Sequence, residues 1–168
     1  MLDYDLVTSK ACYRLPRRDD MPVLLRLAAQ STAERTGRTP DEGSPERILQ
    51  TVKELSRHPD RGTVFLFERG QDLVGYCILV THWSNAYGGT VLRIDELFID
   101  RDHRAEGIVE DFLELLARVA PPGTCAIQID ADAKDKWTAA LCARAGFLAD
   151  NARILTRRVQ QGSEVGGA

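Results

Sequence analysis

The sequence has no apolar run that approaches the roughly 20 residues of a membrane-spanning helix. Its opening stretch, MLDYDLVTSK, lacks the basic and apolar regions of a signal peptide. We therefore expect no membrane partner and a cytoplasmic location. The four cysteines are widely spaced and form no C-x-x-C or His/Cys ligand pattern. Neither a disulfide framework nor a metal site is predicted, and free thiols among apolar neighbours are expected.

An excess of charge of one sign is also absent. The 22 Lys and Arg residues are balanced by 25 Asp and Glu residues, which gives a formal net charge of −3. Phosphate contacts need clustered positive charge, so no nucleic-acid partner is expected. Hydrophobic residues make up 43% and charged residues 28% of the 168 positions, which is the balance of an ordinary globular domain.

One domain is predicted over residues 10–160, because no linker or internal repeat divides this range. Residues 1–9 and 161–168 are short polar or Gly-rich ends. We expect the first end to be flexible and the second to be a disordered tail.

Periodicity and capping residues predict the elements of this domain. A first strand over 11–17 precedes two helices, with caps at Asp19 or Asp20 and at Ser44 before Pro45. A hairpin, a third strand and an amphipathic helix follow, and then a strand, a short helix and a last strand. The predicted ranges of these later elements are 63–68, 73–81, 90–99, 105–120, 124–131, 135–145 and 152–159. The order β-α-α-β-β-β-α-β-α-β predicts a mixed sheet with helices on its faces.

The segment RDHRAEG follows the third consecutive strand and opens a helix. Arg104 and Gly107 have the Arg-x-x-Gly spacing of a loop that turns backbone N–H groups toward an anion. A glycine at this point lets the backbone approach a phosphate closely. Glu106 lies inside the same turn, where its charge is expected to repel an anion.

This element order and three segments resemble the GNAT family of acyl-CoA N-acyltransferases. LFIDRDHRAEGI is similar to the family's strand-loop-helix with Arg/Gln-x-x-Gly-x-Gly/Ala, KWTAALCARAGF is similar to a later family motif that ends in Gly-Phe, and YRLPRRDD looks like the opening of such chains. The resemblance covers residues 11–159. It implies an α/β (α+β) fold whose central sheet is mixed and mostly antiparallel, with helices on both faces and a splayed pair of parallel strands.

The resemblance also implies that acetyl-CoA is the co-substrate, without a metal, and that it lies between two splayed strands at 91–99 and 125–131. The residues implied to contact it are Leu97, Phe98 and Ile99 through their backbone, and the loop residues Arg104, Ala105, Gly107, Ile108 and Val109. Val109 replaces the second small residue of the family's loop. Because of Val109 and Glu106, we expect coenzyme A binding to persist in weakened form.

Asp95 and Glu96 are candidate catalytic carboxylates, and strand alternation is expected to send them to opposite faces of the sheet. The surrounding stretch looks like the equivalent one in polyamine and thialysine N-acetyltransferases. That resemblance implies that Asp95 takes part in deprotonating the amine through water. The alternative is that Asp95 forms an ion pair with Arg93 or with an arginine of the last strand.

Cys142 stands where many family members have a tyrosine that protonates the departing thiolate, and Lys136 stands where asparagine is usual. A thiol with a pKa near 8.5 can donate a proton, but a small buried residue that packs the helix is an equal alternative. Trp83 and Tyr87 are candidate contacts for an aliphatic amine, or aromatic residues that close the end of the sheet. Trp137 is expected to anchor its helix.

The favoured hypothesis is an N-acetyltransferase that moves an acetyl group from acetyl-CoA to a primary amine of a small cationic molecule, by direct nucleophilic attack. The alternative is a catalytically silent member that binds an acyl-CoA or a partner through the same scaffold, and the departures at Glu106, Val109, Lys136 and Cys142 motivate it. The sequence leaves open whether the chain forms a homodimer.

Overall fold

Six strands form one sheet in the computed structural model, which describes residues 5–37, 46–130, 135–149 and 156–157. Neighbours along the chain are also neighbours in the sheet, and all pairs are antiparallel except the last, which is parallel. The strands are β1 (Leu6–Val7), β2 (Cys12–Arg14), β3 (Gly62–Arg69), β4 (Asp72–Ser84), β5 (Gly89–Ile99) and β6 (Thr124–Ile129). The mixed, mostly antiparallel sheet predicted from the sequence is therefore confirmed.

Four α-helices cover this sheet: α1 (Met21–Thr36), α2 (Glu46–Arg57), α3 (Ile108–Val119) and α4 (Lys136–Arg144). Asp135 caps α4, since its Oδ1 accepts hydrogen bonds from the amides of Trp137 and Thr138, each at 3.1 Å. Gly146 follows this helix with φ 78°, as a residue beyond a helix C-terminus often does. The capping signals in the sequence thus locate α4 correctly.

Asp20 precedes α1 as predicted, but its carboxylate does not cap the helix. It binds the guanidinium of Arg14 through both oxygens, at 2.7 and 2.9 Å, and accepts a hydrogen bond from the amide of Arg17 at 2.6 Å. Arg14 is 5% exposed, and a buried cation needs a paired anion. The Asp20 carboxylate therefore pairs with Arg14 and does not cap the helix. The hydrogen bonds from Arg14 are the main cause of the lowered pKa of Asp20.

Each face of the sheet has its own core. Tyr76, Ile78 and Phe98 pack with α1 and α2 on one face, while Phe67 and Ile94 pack with α3 on the other. The residues alternate between the faces along each strand, as expected for a sheet that is covered on both sides. Because these strands alternate in direction, one end of the sheet holds the β1–β2 turn, the β3–β4 turn and the end of β5.

Two differences from the sequence predictions concern the ends of elements. β1 lies in the stretch predicted to be a flexible end, because Leu6 is 5% exposed and belongs to the core under α3. The helix predicted over 105–120 is divided into a 3-10 turn, Arg101–Glu106, and α3, with Gly107 between them at φ 70°. The predicted cap of the second helix at 44–45, most of the last strand at 152–159 and the tail at 161–168 lie outside the described residues. No helix within the described ranges is both long and apolar enough to cross a membrane.

Candidate active site

The register between β4 and β5 shifts at Asp95. Ile78 pairs with Glu96 and Leu79 pairs with Ile94, so Asp95 is the extra residue of a β-bulge. The parallel ladder to β6 ends at the same point, with the pair Ile94–Ile129 as its last member. Within the described part of the chain, residues 95–99 therefore pair with β4 alone. On the side of this segment that faces β6, the backbone has no strand partner among the described residues, and the Ile99 carbonyl accepts a hydrogen bond from Arg104.

Asp95 itself is exposed, and it forms no hydrogen bond or ion pair with any residue that the structure describes. Arg93, one of the partners considered for it, instead forms an ion pair with Asp130. The alternative role of Asp95 in an ion pair with Arg93 is thus wrong, because β6 brings a nearer carboxylate to this guanidinium. Arg157 is the one arginine in the range of the predicted last strand that the structure describes, and it is exposed.

Glu96 points to the α1 face and is held there by two hydroxyl groups. The Oγ atom of Ser31 donates to Glu96 Oε1 at 2.7 Å, and the hydroxyl of Tyr76 donates to the same oxygen at 2.6 Å. Tyr76 is completely buried, and burial followed by the charge of Glu96 raises the pKa of its phenol. The phenol therefore remains protonated and acts as a donor. Neither donor has a signal in the sequence, because only the strand register and the packing of α1 bring them to Glu96.

The loop after β5 leaves the first amides of α3 without partners inside the helix. The first hydrogen bond of α-helical spacing in this region joins the Asp111 amide to the Gly107 carbonyl at 3.1 Å, so the amides of Ile108, Val109 and Glu110 precede it and have no partner within the helix. Lys10 contributes a cation here, since its Nζ donates to Gly107 O at 3.2 Å. A groove of about 350 Å³ lies beside the loop between the turns at Lys10 and Arg69. The start of α3 therefore offers backbone donors and positive charge to an anion.

Glu106, which the sequence predicts to repel an anion, has two positively charged or hydrogen-bonding neighbours. Its carboxylate binds His103 Nδ1 at 2.8 Å and Arg69 Nε at 3.2 Å. The hydrogen bond with His103, followed by that from Arg69, lowers the pKa of Glu106, so the side chain is an anion that already has partners. Arg69 and His103 thus compensate the charge of Glu106, and weakened coenzyme A binding remains a prediction.

A model of the acetyltransferase (GNAT) family matches residues 26–147, which include the bulge, the loop and α4. The chain belongs to this family. No curated protein sequence matches the chain significantly.

Solved structures share the fold of this GNAT chain at low sequence identity. A possible acetyltransferase from Clostridium difficile 630 is 15% identical, with a TM-score of 0.72, over 90% of this chain and 100% of the other. A ribosomal-protein-alanine N-acetyltransferase from Brucella melitensis biovar Abortus 2308 is 20% identical, with a TM-score of 0.66, over 87% and 98%. AAC(6')-Iy in complex with the bisubstrate analogue CoA-S-monomethyl-acetylneamine is 15% identical, with a TM-score of 0.68, over 90% and 99%.

The departures of this GNAT chain from the family's loop leave its anion-binding donors intact. Val109 is 2% exposed and lies in the core under α3, so its side chain fills the interior while its amide remains at the helix end. Glu110 and Asp111 also turn away from the loop. Glu110 pairs with Arg144 of α4 at 2.6 Å, and Asp111 accepts hydrogen bonds from Thr8 and Tyr13. The residues present therefore fit the phosphates of coenzyme A.

The guanidinium of Arg104 contacts residues of three elements, α1, β5 and α4. Its NH2 group pairs with Glu34 of α1 at 2.6 Å, its Nε donates to the Ile99 carbonyl at 3.3 Å, and its guanidinium lies 5.0 Å from the ring centre of Trp137 on α4. Arg101 also pairs with Glu34, at 2.9 Å. The arginine of the loop thus links α1 to the start of α4 across the end of β5.

The remaining candidates lie at different places in the fold. Cys142 is 7% exposed on the inner side of α4, and burial raises the pKa of its thiol. Lys136 is exposed at the start of the same helix, which Asp135 caps.

Trp83 is 71% exposed and pairs with Thr90 near the β4–β5 turn. The stretch from Thr90 to Asp95 spans about 16 Å of strand. Trp83 and Tyr87 therefore lie at the turn end of the hairpin, well separated from the bulge, and their contact with an acceptor remains a prediction.

Proposed function

We propose that this GNAT chain transfers an acetyl group from acetyl-CoA to a primary amine of a small cationic molecule. The observation that carries the proposal is the segment 95–99 of β5, which has no strand partner on the side of β6 among the described residues. Two carboxylates, those of Asp95 and Glu96, lie at the start of this segment. Donors for an anionic cofactor lie at one end of this edge, at Gly107, and the acceptors for a cation lie at the other end.

The cofactor end would be held mainly by backbone groups. The amides at the start of α3 and the ammonium of Lys10 would meet the phosphates, while the backbone of Leu97–Ile99 would bond the pantetheine arm in the gap beside β5. Acetyl-CoA supplies the thioester on which the amine acts. The chain contributes the fixed position of this thioester and backbone donors that polarise its carbonyl.

The acceptor end would attract an ammonium group. Neither Asp95 nor Glu96 forms an ion pair with a cation among the described residues, so their charge is available to a ligand. Glu96 would bind the amine from the α1 face, and Asp95, which is exposed, would pass the amine's proton to water. The neutral nitrogen then bonds to the carbonyl carbon, the carbon–sulfur bond breaks, and the thiolate takes up a proton.

Cys142 is the side chain that the family resemblance offers as the source of this last proton. Its raised pKa keeps the thiol protonated at neutral pH, which a proton donor requires. Its burial on α4 explains the residue equally well as packing. These two roles have different consequences for a Cys142→Ala variant.

The alternative is a silent member of the family that binds an acyl-CoA without transferring its acyl group. Arg104 supports this alternative, because its guanidinium already has Glu34 and Trp137 as partners. Binding alone cannot separate the two functions, since both keep the cofactor loop. Release of free coenzyme A in the presence of an amine separates them.

The test combines calorimetry with acetyl-CoA and a thiol assay over an amine panel. The panel holds a polyamine, lysine and an aminoglycoside, together with neutral and acidic amines. Because Cys125 is exposed and carries a free thiol, each rate is compared with a blank that lacks the acceptor. Release with cationic amines supports the proposal. Binding without release from any amine supports the silent alternative, and release with neutral or acidic amines alone excludes a cationic acceptor.

A further inference from the structure

The carboxylate of Glu96 has an unequal environment at its two oxygens. Both hydroxyl donors, Ser31 Oγ and the phenol of Tyr76, bind Oε1, at 2.7 and 2.6 Å. Oε2 has no hydrogen bond among the described residues. Two donors on one oxygen fix the plane of the carboxylate and leave the other oxygen as the free acceptor.

These donors are themselves fixed by the core. Tyr76 is fully buried on β4 and its ring lies 6.0 Å from that of Phe98. Ser31 is 8% exposed on the inner side of α1. Neither side chain can turn to solvent without opening the core between α1 and the sheet, so the geometry around Oε1 is determined by packing.

We infer that Tyr76 and Ser31 are positioning residues, which hold Glu96 as an oriented carboxylate so that its Oε2 meets the ammonium of the acceptor. This inference rests on the proposed function and names residues of that same site. Hydrogen bonds to the charged form of a carboxyl favour that form, and both hydroxyls donate to the same oxygen of Glu96. An acceptor without a positive charge would gain nothing from this arrangement.

Other charged and titratable groups near Glu96 are few in the described region. Arg35 of α1 acts on the Tyr76 phenol from a distance, and the Cys77 thiol of β4 is fully buried, so that its pKa lies well above its usual value. Asp95 is the adjacent residue on β5. Since the Cys77 thiol remains neutral, any change in the pH response that follows loss of a hydroxyl is expected to come from Glu96 itself.

The first test does not depend on catalysis. The ¹³Cδ signal of Glu96, assigned by its loss in Glu96→Gln, is followed by NMR as the pH is lowered in wild type, Tyr76→Phe and Ser31→Ala. We expect the carboxyl to become protonated at higher pH in both variants. Tyr13→Phe is the matched control, because its phenol is equally buried and binds Asp111 on the other face. An unchanged Glu96 titration in both variants would overturn the inference.

The second test measures kcat/KM for the acceptor against pH. Tyr76→Phe is expected to lower kcat/KM for the amine by roughly tenfold, the loss typical of a hydrogen bond to a charged group. The acidic limb of the kcat/KM profile should move to higher pH, and KM for acetyl-CoA should not change. Ser31→Ala should do the same to a smaller extent, which keeps the test valid if Tyr76→Phe folds poorly. An equal loss at every pH would indicate a structural role alone and overturn the inference. Failure of wild type to release coenzyme A would reject the proposed function, whereas the NMR titration would still decide how Glu96 is held.

Discussion

Two carboxylates on opposite faces of the sheet are bound in nearly the same way. Asp111 accepts hydrogen bonds from Thr8 and from the phenol of Tyr13 on one oxygen, both at 2.6 Å. Glu96 accepts from Ser31 and from the phenol of Tyr76, also on one oxygen. In both cases burial raises the pKa of the tyrosine, so each phenol remains a donor.

The surroundings of the two carboxylates differ. Asp111 lies in the first turn of α3, where a negative charge favours the helix dipole, and its partner Tyr13 also donates to Ile108 O at 2.8 Å. This cluster joins α3 to the first two strands and holds the cofactor loop in place. Glu96 lies in a strand beside the bulge, away from any helix end, and the same pair of donors prepares its charge for a ligand.

The loop near Asp111 and the bulge near Glu96 differ in the same way as the two carboxylates. At the loop, Glu106, Glu110 and Asp111 all have protein partners. At the bulge, Asp95 has none among the described residues. The loop end therefore presents donors to an anion and the bulge end presents acceptors to a cation. Changes at the first end should act on acetyl-CoA affinity, and changes at the second should act on turnover of the amine.

Gly107→Glu is expected to have the largest effect, a loss of acetyl-CoA affinity of at least about a hundredfold from backbone strain and added charge. Gly107 has φ +70°, and an added Cβ would lie 2.4 Å from Lys10 Nζ. Calorimetry measures the effect. Gly37→Glu is the matched control, because Gly37 has φ +66° with nothing within 4 Å of the added atom. Equal losses in the two variants would mean that the loop has no special role.

Asp95→Asn is expected to lower amine turnover by about a hundredfold, the lower range for loss of a catalytic acid–base group. The loss should be greatest at low pH, where the amine most needs to lose its proton, and acetyl-CoA affinity should remain unchanged. The pH dependence of kcat/KM for the amine checks the first point and calorimetry with acetyl-CoA checks the second, with the exposed Asp72→Asn as control. An unaltered pH profile would remove Asp95 from the mechanism.

Asp111→Asn sharpens the comparison with Glu96 directly. We expect the free energy of unfolding to fall by about 1–2 kcal/mol, from weaker hydrogen bonds and the lost charge at the helix N-terminus. The rate per folded molecule should change little, whereas Glu96→Gln should lower the rate at similar stability. Urea unfolding and initial rates on the same samples measure this, and the reverse pattern would mean that the two carboxylates have been assigned the wrong roles.

Much of the fold could be predicted because its signals are local. The cap at Asp135, the glycines at 107 and 146 and the alternation of apolar residues each depend on near neighbours in sequence. β1 is an exception, since two residues give no periodicity and only the burial of Leu6 fixes them in the sheet.

The bulge had a signal in the sequence that strand alternation alone overlooks. Leu92 and Ile94 are two residues apart, as are Leu97 and Ile99, but the step from Ile94 to Leu97 is three. All four contribute to the core under α3, so one extra residue must lie between them. The partners of Glu106 and Glu96 had no comparable signal, because Arg69, Ser31 and Tyr76 reach them only through tertiary packing.

Cys142→Ala tests whether α4 contributes chemistry to the bulge region or only packing. We expect packing, with unfolding free energy lowered by about 1 kcal/mol and an unchanged rate per folded molecule, because the thiol is 7% exposed. Thermal unfolding and single-turnover rates separate the two roles. A lower rate with intact acetyl-CoA affinity would instead identify Cys142 as the proton donor to the thiolate.

Glu106→Gln is expected to have the smallest effect, less than about twofold on acetyl-CoA affinity, because exposed ion pairs contribute little and Arg69 and His103 already offset the charge. The substitution keeps the shape of the side chain while it removes the anion, which Glu106→Gly would not do. Arg69→Gln is the informative counterpart, since it leaves Glu106 with one partner fewer beside the phosphates and should weaken binding more than Glu106→Gln does. Calorimetry at low and high salt compares them, because any uncompensated charge is screened at high salt. Markedly tighter binding by Glu106→Gln at low salt would show that the Glu106 carboxylate repels the cofactor. In that case Arg69 and His103 do not fully offset its negative charge beside the amides at the start of α3.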